Sequence, residues 1–450
     1  MKSRLVSSAL ATMFVLAFST AIKAEIFTAY LSGAQEVPPV ATSATGFARI
    51  NVDAAAGTCT FMVVFNNLSS PQNGAHIHAP AAIGATVGVA INLGTVGGTS
   101  GTVTGNCTIN STQVGQLRQH LGYVNVHSDN FINGEIRGQL GVQRPVDYDG
   151  DGRTDYSVLR FPNIPAPGIS PLTYHNLNST TGAESILFGG DANTDFPAPG
   201  DYDGDGKGDL AIFRNTGLFG IFRSATNTWF VQQYGQSGDE AHCRDYDGDG
   251  RTDLAVVRRG STATDPMVWF IRRSSAPTND LVVSFGLTGN GTSTGDFPVS
   301  GDYDGDGKFD IAIYRFGLTP ANNFIVLRSS DLSVSYQPFG NFQSDYILPG
   351  DYDGDGKYDY AVARTGALST SPLVWWILQS SNGTTRTITW GRSNDVPAQG
   401  DYDGDARTDV AIFRSGSPAV YWVFNSFTNS SLAQPWGTSG DFSVNTYDTR

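Results

Sequence analysis

The chain is short of basic charge, of cysteine and of long apolar runs, and each shortage narrows what it can be. Lys and Arg number 28 against 42 Asp and Glu, a formal net charge of −14. That balance argues against a nucleic-acid partner, whose phosphates need a basic face. It argues equally against simple adsorption to anionic lipid. Three cysteines are few. Cys59 in "GTCTF" and Cys107 in "GNCTI" sit in Thr-flanked, strand-like contexts, which leaves two readings: a disulfide formed after export, or two buried free thiols. Cys243 is then left over as a buried or reactive thiol. Beyond the first two dozen residues no segment is apolar enough to span a bilayer, and no stretch carries a long helical stripe. The apolar residues come in short bursts among 53 glycines, which favours a β-rich chain with many tight turns.

The start of the chain is the exception. Lys2 and Arg4 precede the run "LVSSALATMFVLAFSTAI", and "AIKA" ends on the small residue Ala24. That layout predicts a secretory signal peptide over 1–24, cleaved near Ala21–Ala24. A membrane anchor is the weaker reading, because the run carries many Ser and Thr and is barely long enough. The expected location is secreted, extracellular or cell-surface, with the periplasm as a further option.

What is abundant is one acidic motif. "DYDGDGRTDYSVLR" (147–160), "DYDGDGKGDLAIFR" (201–214), "DYDGDGRTDLAVVR" (245–258), "DYDGDGKFDIAIYR" (302–315), "DYDGDGKYDYAVAR" (351–364) and "DYDGDARTDVAIFR" (401–414) line up. The unit is about fifty residues, the size of a propeller blade. After each loop comes a strand ending in Arg, then an aromatic-rich strand such as "VWFIRRSS" (268–275), "VWWILQSS" (374–381) or "VYWVFNS" (420–426). A third strand closes on an aromatic–Gly step, as at Phe285-Gly286 and Trp390-Gly391, and a lead-in like "GDFPV" (295–299) follows. Short antiparallel strands without a helical period predict a β-propeller over 143–450. Six blades are expected, or seven if the irregular region 161–195 holds another. The final "GDFSVNTYDTR" (440–450) restarts a lead-in, so a last strand is expected to pair with the first unit and close the ring, which removes open strand edges.

In the loop, carboxylates stand at positions one, three, five and nine. The alternation aims the first three at a common centre, and the ninth closes it from the far side. Hard oxygen donors in this number suit Ca²⁺. The expected ligands are Asp147, Asp149, Asp151 and Asp155; Asp201, Asp203, Asp205 and Asp209; Asp245, Asp247, Asp249 and Asp253; Asp302, Asp304, Asp306 and Asp310; Asp351, Asp353, Asp355 and Asp359; and Asp401, Asp403, Asp405 and Asp409. About six Ca²⁺ sites are therefore expected. Glycosidase chemistry needs an opposed acid and base, whereas these carboxylates crowd one turn six times over, so no catalytic residue is assigned. A merely solvated turn does not explain the repeated register.

These units resemble the FG-GAP/VCBS-type repeats of extracellular β-propellers, related to the integrin α-chain head and some fungal lectins. The resemblance implies Ca²⁺ in loops on one face and a role in adhesion, ligand binding or sugar recognition. Two departures stand out: Ala406, where the other five loops have Gly, and "HCRDYDGDG" (242–250), where the usual Pro–Gly lead-in is replaced.

Residues 25–142 lack the repeat and read as an antiparallel β-sandwich, from "FTAYLSG", "TGFARINVD", "TCTFMVVFNNL", "VGVAINLG", "GYVNVHS" and "GEIRGQL". One short helix is expected around 111–122 with Ser111 as its N-cap. "GAHIHAPA" (74–81) puts His76 and His78 on one face of a strand, and "YVNVHSDNFINGEIRGQL" (123–140) adds His127. Three imidazoles from two strands could hold Zn²⁺ or Cu²⁺; otherwise they are polar residues bonded to backbone or to Glu135. "LSGAQEVPPVATSATGFA" (31–48), "HIHAPA" and "YVNVHSDNFINGEIRGQL" resemble the CHRD domain, first described in chordin, with Ala79 where a Gly is more usual. The H-x-H step is also similar to the copper-ligand step of Cu,Zn superoxide dismutase, but no bridging His–Asp set follows, so dismutase activity is not expected. The whole reads as an exported, calcium-stabilised, non-enzymatic binding protein for an extracellular glycan or protein. The rival readings are a metal-dependent redox enzyme on the histidines, a hydrolase in a propeller groove, or a structural matrix or filament component.

Overall fold

The computed structural model describes residues 25–450 apart from 55, 82–84, 119–120, 141–144, 151–152, 161–171, 180–181, 189–193, 205–206, 249–250, 290–294, 306–307, 316–323, 341–344, 404–406, 427 and 446–450. Residues 1–24, where a signal peptide is expected, and Asp151, Asp205, Asp249, Asp306, Asp405 and Ala406 therefore lie outside the described residues, as does most of 161–195. No helix of the described residues is long and apolar enough to cross a membrane.

The N-terminal part is one eight-stranded antiparallel sheet that folds into a barrel-like sandwich. Its strands are β1 (Glu25–Ser32), β2 (Thr45–Asp53), β3 (Thr58–Asn66), β4 (Gln72–His78), β5 (Val89–Asn92), β6 (Gly101–Thr108), β7 (Tyr123–Ser128) and β8 (Ile136–Gln139), in the order β5-β4-β7-β8-β1-β2-β3-β6. Strict alternation drives it. In β3 every second side chain (Cys59, Phe61, Val63, Phe65) enters a single core with Ile50, Val52, Val103, Val124, Val126 and Ile136. Each such side chain contributes about 1.5–3 kcal/mol by burial. Cys59 faces Cys107 across β3 and β6, and the two form a disulfide. The third cysteine, Cys243, is buried and free, and burial raises the pKa of its thiol. Helix α1 (Ser111–Arg118) begins one residue earlier in its capping than expected. Asn110 Oδ1 accepts the Gln113 N–H while Gln113 Oε1 accepts the Asn110 N–H, so Asn110, not Ser111, is the cap.

The remainder is a six-bladed propeller of four-stranded antiparallel sheets. The first blade is completed from both ends of the chain: Phe442–Ser443 pairs with Tyr156–Arg160. The strand after four of the six loops (Leu210–Arg214, Leu254–Arg258, Ile311–Arg315, Val410–Arg414) is buried at four successive positions, and the other two (Tyr156–Arg160, Tyr360–Arg364) at three. That differs from the alternation of a half-buried strand because neighbouring blades cover both of its faces. Core clusters accordingly mix residues of consecutive blades, as Ala361 and Trp375 do with Val410 and Ile412.

The terminal Arg of these strands has a fixed partner. Arg214, Arg258, Arg315, Arg364 and Arg414 each make a two-pronged ion pair with an Asp nineteen residues earlier in the lead-in (Asp195, Asp239, Asp296, Asp345, Asp395), with Nε to Oδ1 distances of 2.7–2.8 Å. Arg160 makes the same pair with Asp441, 281 residues away, and so pins the ring shut. The carboxylates are buried, and Asp296, Asp395 and Asp441 also accept a backbone N–H next to an aromatic–Gly turn.

Candidate metal centres

Each acidic loop is organised first by its own carboxylates. The Oδ1 of the first Asp accepts the N–H of the glycine at position four at 2.6–2.7 Å, seen at Asp147, Asp201, Asp245, Asp302 and Asp351. Those glycines have φ between +75° and +79°, which side-chain-bearing residues rarely adopt. The ninth Asp is fully buried in all six loops. Its Oδ2 accepts the N–H of the Tyr at position two (2.7–3.0 Å). Its Oδ1 accepts the N–H of a Ser in the next turn (2.6–2.8 Å): Ser179, Ser224, Ser274, Ser329, Ser380 or Ser426. This clamp was not foreseen from the sequence, where the ninth Asp reads as a ligand alone.

The loops also bond to one another. The carbonyl of the first Asp accepts the position-eight N–H of the following loop: Asp147 from Gly208, Asp201 from Thr252, Asp245 from Phe309, Asp302 from Tyr358, Asp351 from Thr408, and Asp401 from Thr154, at 2.6–2.8 Å. The last of these returns to the first loop, so the six make a closed ring. Close approach explains the glycine that precedes four of the loops. A Cβ on Gly200, Gly301, Gly350 or Gly400 would meet the position-eight side chain of the next loop at 2.3–2.8 Å. Before the first loop the residue is Val146, and there position eight of the neighbour is Gly208. Before the third loop it is Arg244, whose guanidinium lies over Phe309, 5.8 Å from the ring centre. The departure at 242–250 is thus met by a change in its neighbour.

Ligand atoms of the carboxylates converge. Asp147, Asp149 and Asp155, then Asp201, Asp203 and Asp209, then Asp245, Asp247 and Asp253, and Asp302, Asp304 and Asp310 each bring one oxygen apiece within 4.8 Å of one another. The fifth loop is described throughout. There Asp353 Oδ2 accepts Ser381 Oγ at 2.6 Å, while its Oδ1 is buried with no hydrogen-bond partner. Asp355 Oδ1 accepts from Ser380 Oγ and the Lys357 N–H. Burial and then the neighbouring carboxylates push the acids up: Asp155 to about 9, by burial, Asp149 and Asp147, and Asp409 to about 8, by burial, Asp401 and Asp403. Burial also raises Asp351 to about 8 and Asp359 to about 7. An orphaned buried carboxylate oxygen among acids held above their normal range is a donor set that a hard divalent cation fits.

The histidine cluster assembles as the two strands predict. Gly74, His76 and His78 share the face of β4 turned from the core, as Tyr123, Asn125 and His127 do on β7, with Gly74 opposite His127 and His78 opposite Tyr123. His76 Nδ1 lies 3.0 Å from His127 Nε2. His78 Nδ1 bonds the Val87 carbonyl at 2.8 Å, and His127 Nδ1 the Ile132 carbonyl at 2.9 Å. Glu135 does not take part: it accepts from Thr42, Ser69 and Ser128. Burial lowers all three histidine pKa values, His76 to about 4 with help from His127 and His78.

The propeller also presents one outward side chain per lead-in strand at equivalent positions: Phe196, Phe297, Tyr346, Val396 and Phe442, each 38–50% exposed, with Glu240 in the third blade. Among the tryptophans of the blade strands, Trp269 and Trp375 are fully buried and Trp422 packs against a core, while Trp229 and Trp376 are exposed.

Residues 27–140 match the CHRD domain and residues 245–313 an FG-GAP-like repeat. The chain thus carries a CHRD domain followed by an FG-GAP-type propeller. No curated protein matches the chain. Among solved structures, the acylaminoacyl peptidase of Pyrococcus horikoshii (orthorhombic crystal form) aligns over 88% of this chain and 57% of that one, at 8% identity and a TM-score of 0.31. The chain spans little more than half of that protein's length, and so low a score carries no conclusion.

Proposed function

We propose that this chain, a CHRD domain joined to an FG-GAP-type propeller, is an exported, calcium-loaded, non-enzymatic scaffold that binds an extracellular glycan or protein. The observation that carries the calcium reading is the fifth loop, where Asp353 Oδ1 is buried without a partner beside Asp351, Asp355 and Asp359. One Ca²⁺ per loop would satisfy that oxygen and offset the burial, and with it the mutual repulsion, that holds the acids protonated. Six near-identical sites tied into one ring act as staples. The binding surface is then expected where the blades differ.

The exposed lead-in residues are such a place. Loops of successive blades touch one another beside the lead-in strands, so these strands form the axial edge of each sheet. Phe196, Phe297, Tyr346, Val396 and Phe442 form an apolar ring, broken by Glu240, which pairs with Arg259 at 2.7 Å. Aromatic faces of this kind suit the apolar faces of sugar rings or an apolar protein loop. A glycan array probed with the whole protein, with Ca²⁺ and with chelator, tests the reading. Calcium-dependent binding to a defined glycan class, lost in Phe297→Ser and Phe442→Ser, supports a sugar ligand on this ring. Binding indifferent to both substitutions removes the ring as the site.

A further inference from the structure

The three histidines of the CHRD domain belong to neither the propeller nor its loops, and their surroundings ask for a ligand. A backbone carbonyl only accepts, so the Val87 and Ile132 carbonyls require a hydrogen on Nδ1 of His78 and of His127. Both rings therefore turn a bare Nε2 lone pair inward. The Nε2 of His127 meets His76 Nδ1 at 3.0 Å. The Nε2 of His78, on a residue 7% exposed, is buried with no hydrogen-bond partner at all.

We propose that His76, His78 and His127 bind one divalent transition-metal ion, Zn²⁺ or Cu²⁺, and leave a fourth position open to solvent. This inference rests on the sandwich domain alone and stands or falls apart from the calcium reading. One ligand nitrogen from each ring lies within 4.8 Å of the other two. Two imidazole nitrogens about 2.0–2.1 Å from a shared ion stand roughly 3.0–3.4 Å apart, which the His76–His127 separation meets. The donors are all nitrogen, with no carboxylate or thiolate among them, a set that suits zinc or copper and not calcium or magnesium. Carbonyls behind His78 and His127 fix ring orientation and tautomer, as outer partners of metal-bound histidines do. His78 also stacks on Tyr123 at 4.7 Å, which holds its plane.

Gly74 makes the convergence possible. A Cβ there would stand 3.2 Å from His76 Cε1 and 3.5 Å from His127 Cδ2, in the space where the two rings lean together. His76 and His127 are half-buried, so the open side of the cluster is the side they rim. Without metal, His76 Nδ1–H donates to His127 Nε2. On loading, that hydrogen moves to Nε2 of His76 and the freed Nδ1 lone pair joins the ion, so the protein neither gains nor loses a proton.

The test uses the full untagged chain, stripped with chelator and returned to saturating Ca²⁺ so that the acidic loops are filled. Titration with ZnCl₂ and separately with CuSO₄, followed by calorimetry, should show one ion per chain. His78→Gln and His127→Gln should each weaken that binding at least tenfold, and Cu²⁺ on the parent chain should show nitrogen coupling in its electron paramagnetic spectrum. The metal-free variants are melted by circular dichroism first. If His78→Gln fails to fold, the half-exposed His127→Gln carries the comparison. Absence of stoichiometric binding overturns the site, and so does binding of undiminished affinity in a folded variant.

Discussion

Two aspartates of one loop illustrate how similar residues divide the work. Asp359 has each oxygen on a backbone N–H, from Tyr352 and Ser380, whereas Asp353 bonds one oxygen to Ser381 and leaves the other buried without a partner. Asp353→Asn should therefore cost about one bound Ca²⁺ per chain while leaving the chelated protein's stability nearly unchanged. Asp359→Asn should destabilise the chelated protein as well, by about 1–3 kcal/mol, because a buried amide nitrogen replaces an acceptor. Equilibrium dialysis and urea titration in chelator separate the two; equal behaviour of the variants would contradict the division. The lead-in acids make a parallel case. The Asp345 carboxylate is covered by the fork of Arg364, at 2.8 and 2.9 Å. Asp345→Ala should cost about 2–3 kcal/mol in urea unfolding, with much of the loss due to stranding a partly covered guanidinium.

At the scale of the element, the loop carries a pH dependence whose sign follows from its raised acids. An unfolded aspartate titrates near 3.8, whereas Asp351, Asp359 and Asp409 hold protons to about 7–8 in the cation-free fold. Between those values the folded state binds more protons than the unfolded, so the loops' contribution to cation-free stability falls as pH rises from about 4 to 8. Ca²⁺ bound in the loops would displace those protons. The gap in melting temperature between calcium-loaded and chelated protein should widen from pH 5 to pH 8, and a gap that narrows would contradict it. The closing strand is the second element-scale test. Ending the chain after residue 440 removes Asp441 and the pairing of Phe442–Ser443 with the first blade. That truncation should lower the melting temperature by several degrees and broaden the transition.

Much of this scale was legible beforehand. The loop register, the blade period and the closing strand all lie in short-range pattern, and so does the H-x-H strand. Less legible were the clamp of the ninth Asp, the loop-to-loop bonds and the role of Arg160, because each joins residues of different turns or different blades. A signal for the ion pairs was present in the fixed nineteen-residue interval from lead-in Asp to strand-ending Arg. The capping of α1 by Asn110 was missed because Ser111 is an equally good cap by type. Strand β6 is Thr- and Gly-rich, with only Val103 fully buried in it, so its alternation is faint.

For the whole molecule, the closed ring ties stability to the set of loops, since each loop leans on the next through the carbonyl of its first Asp. The sandwich domain meets the same face. Ser32 Oγ donates to the Gly248 carbonyl at 3.4 Å, and Phe47 packs where a side chain on Gly356 would stand. Both contacts fall on acidic loops, so a cation filling those loops would order the ground on which the first domain sits. Calcium is the hinge of the account, and its stoichiometry on the full chain is the direct measurement. Isothermal titration of the chelator-stripped protein at pH 7.5 should give about six Ca²⁺ per chain, together with a rise in melting temperature of many degrees. Binding of one ion or none, with an unchanged melt, would contradict it.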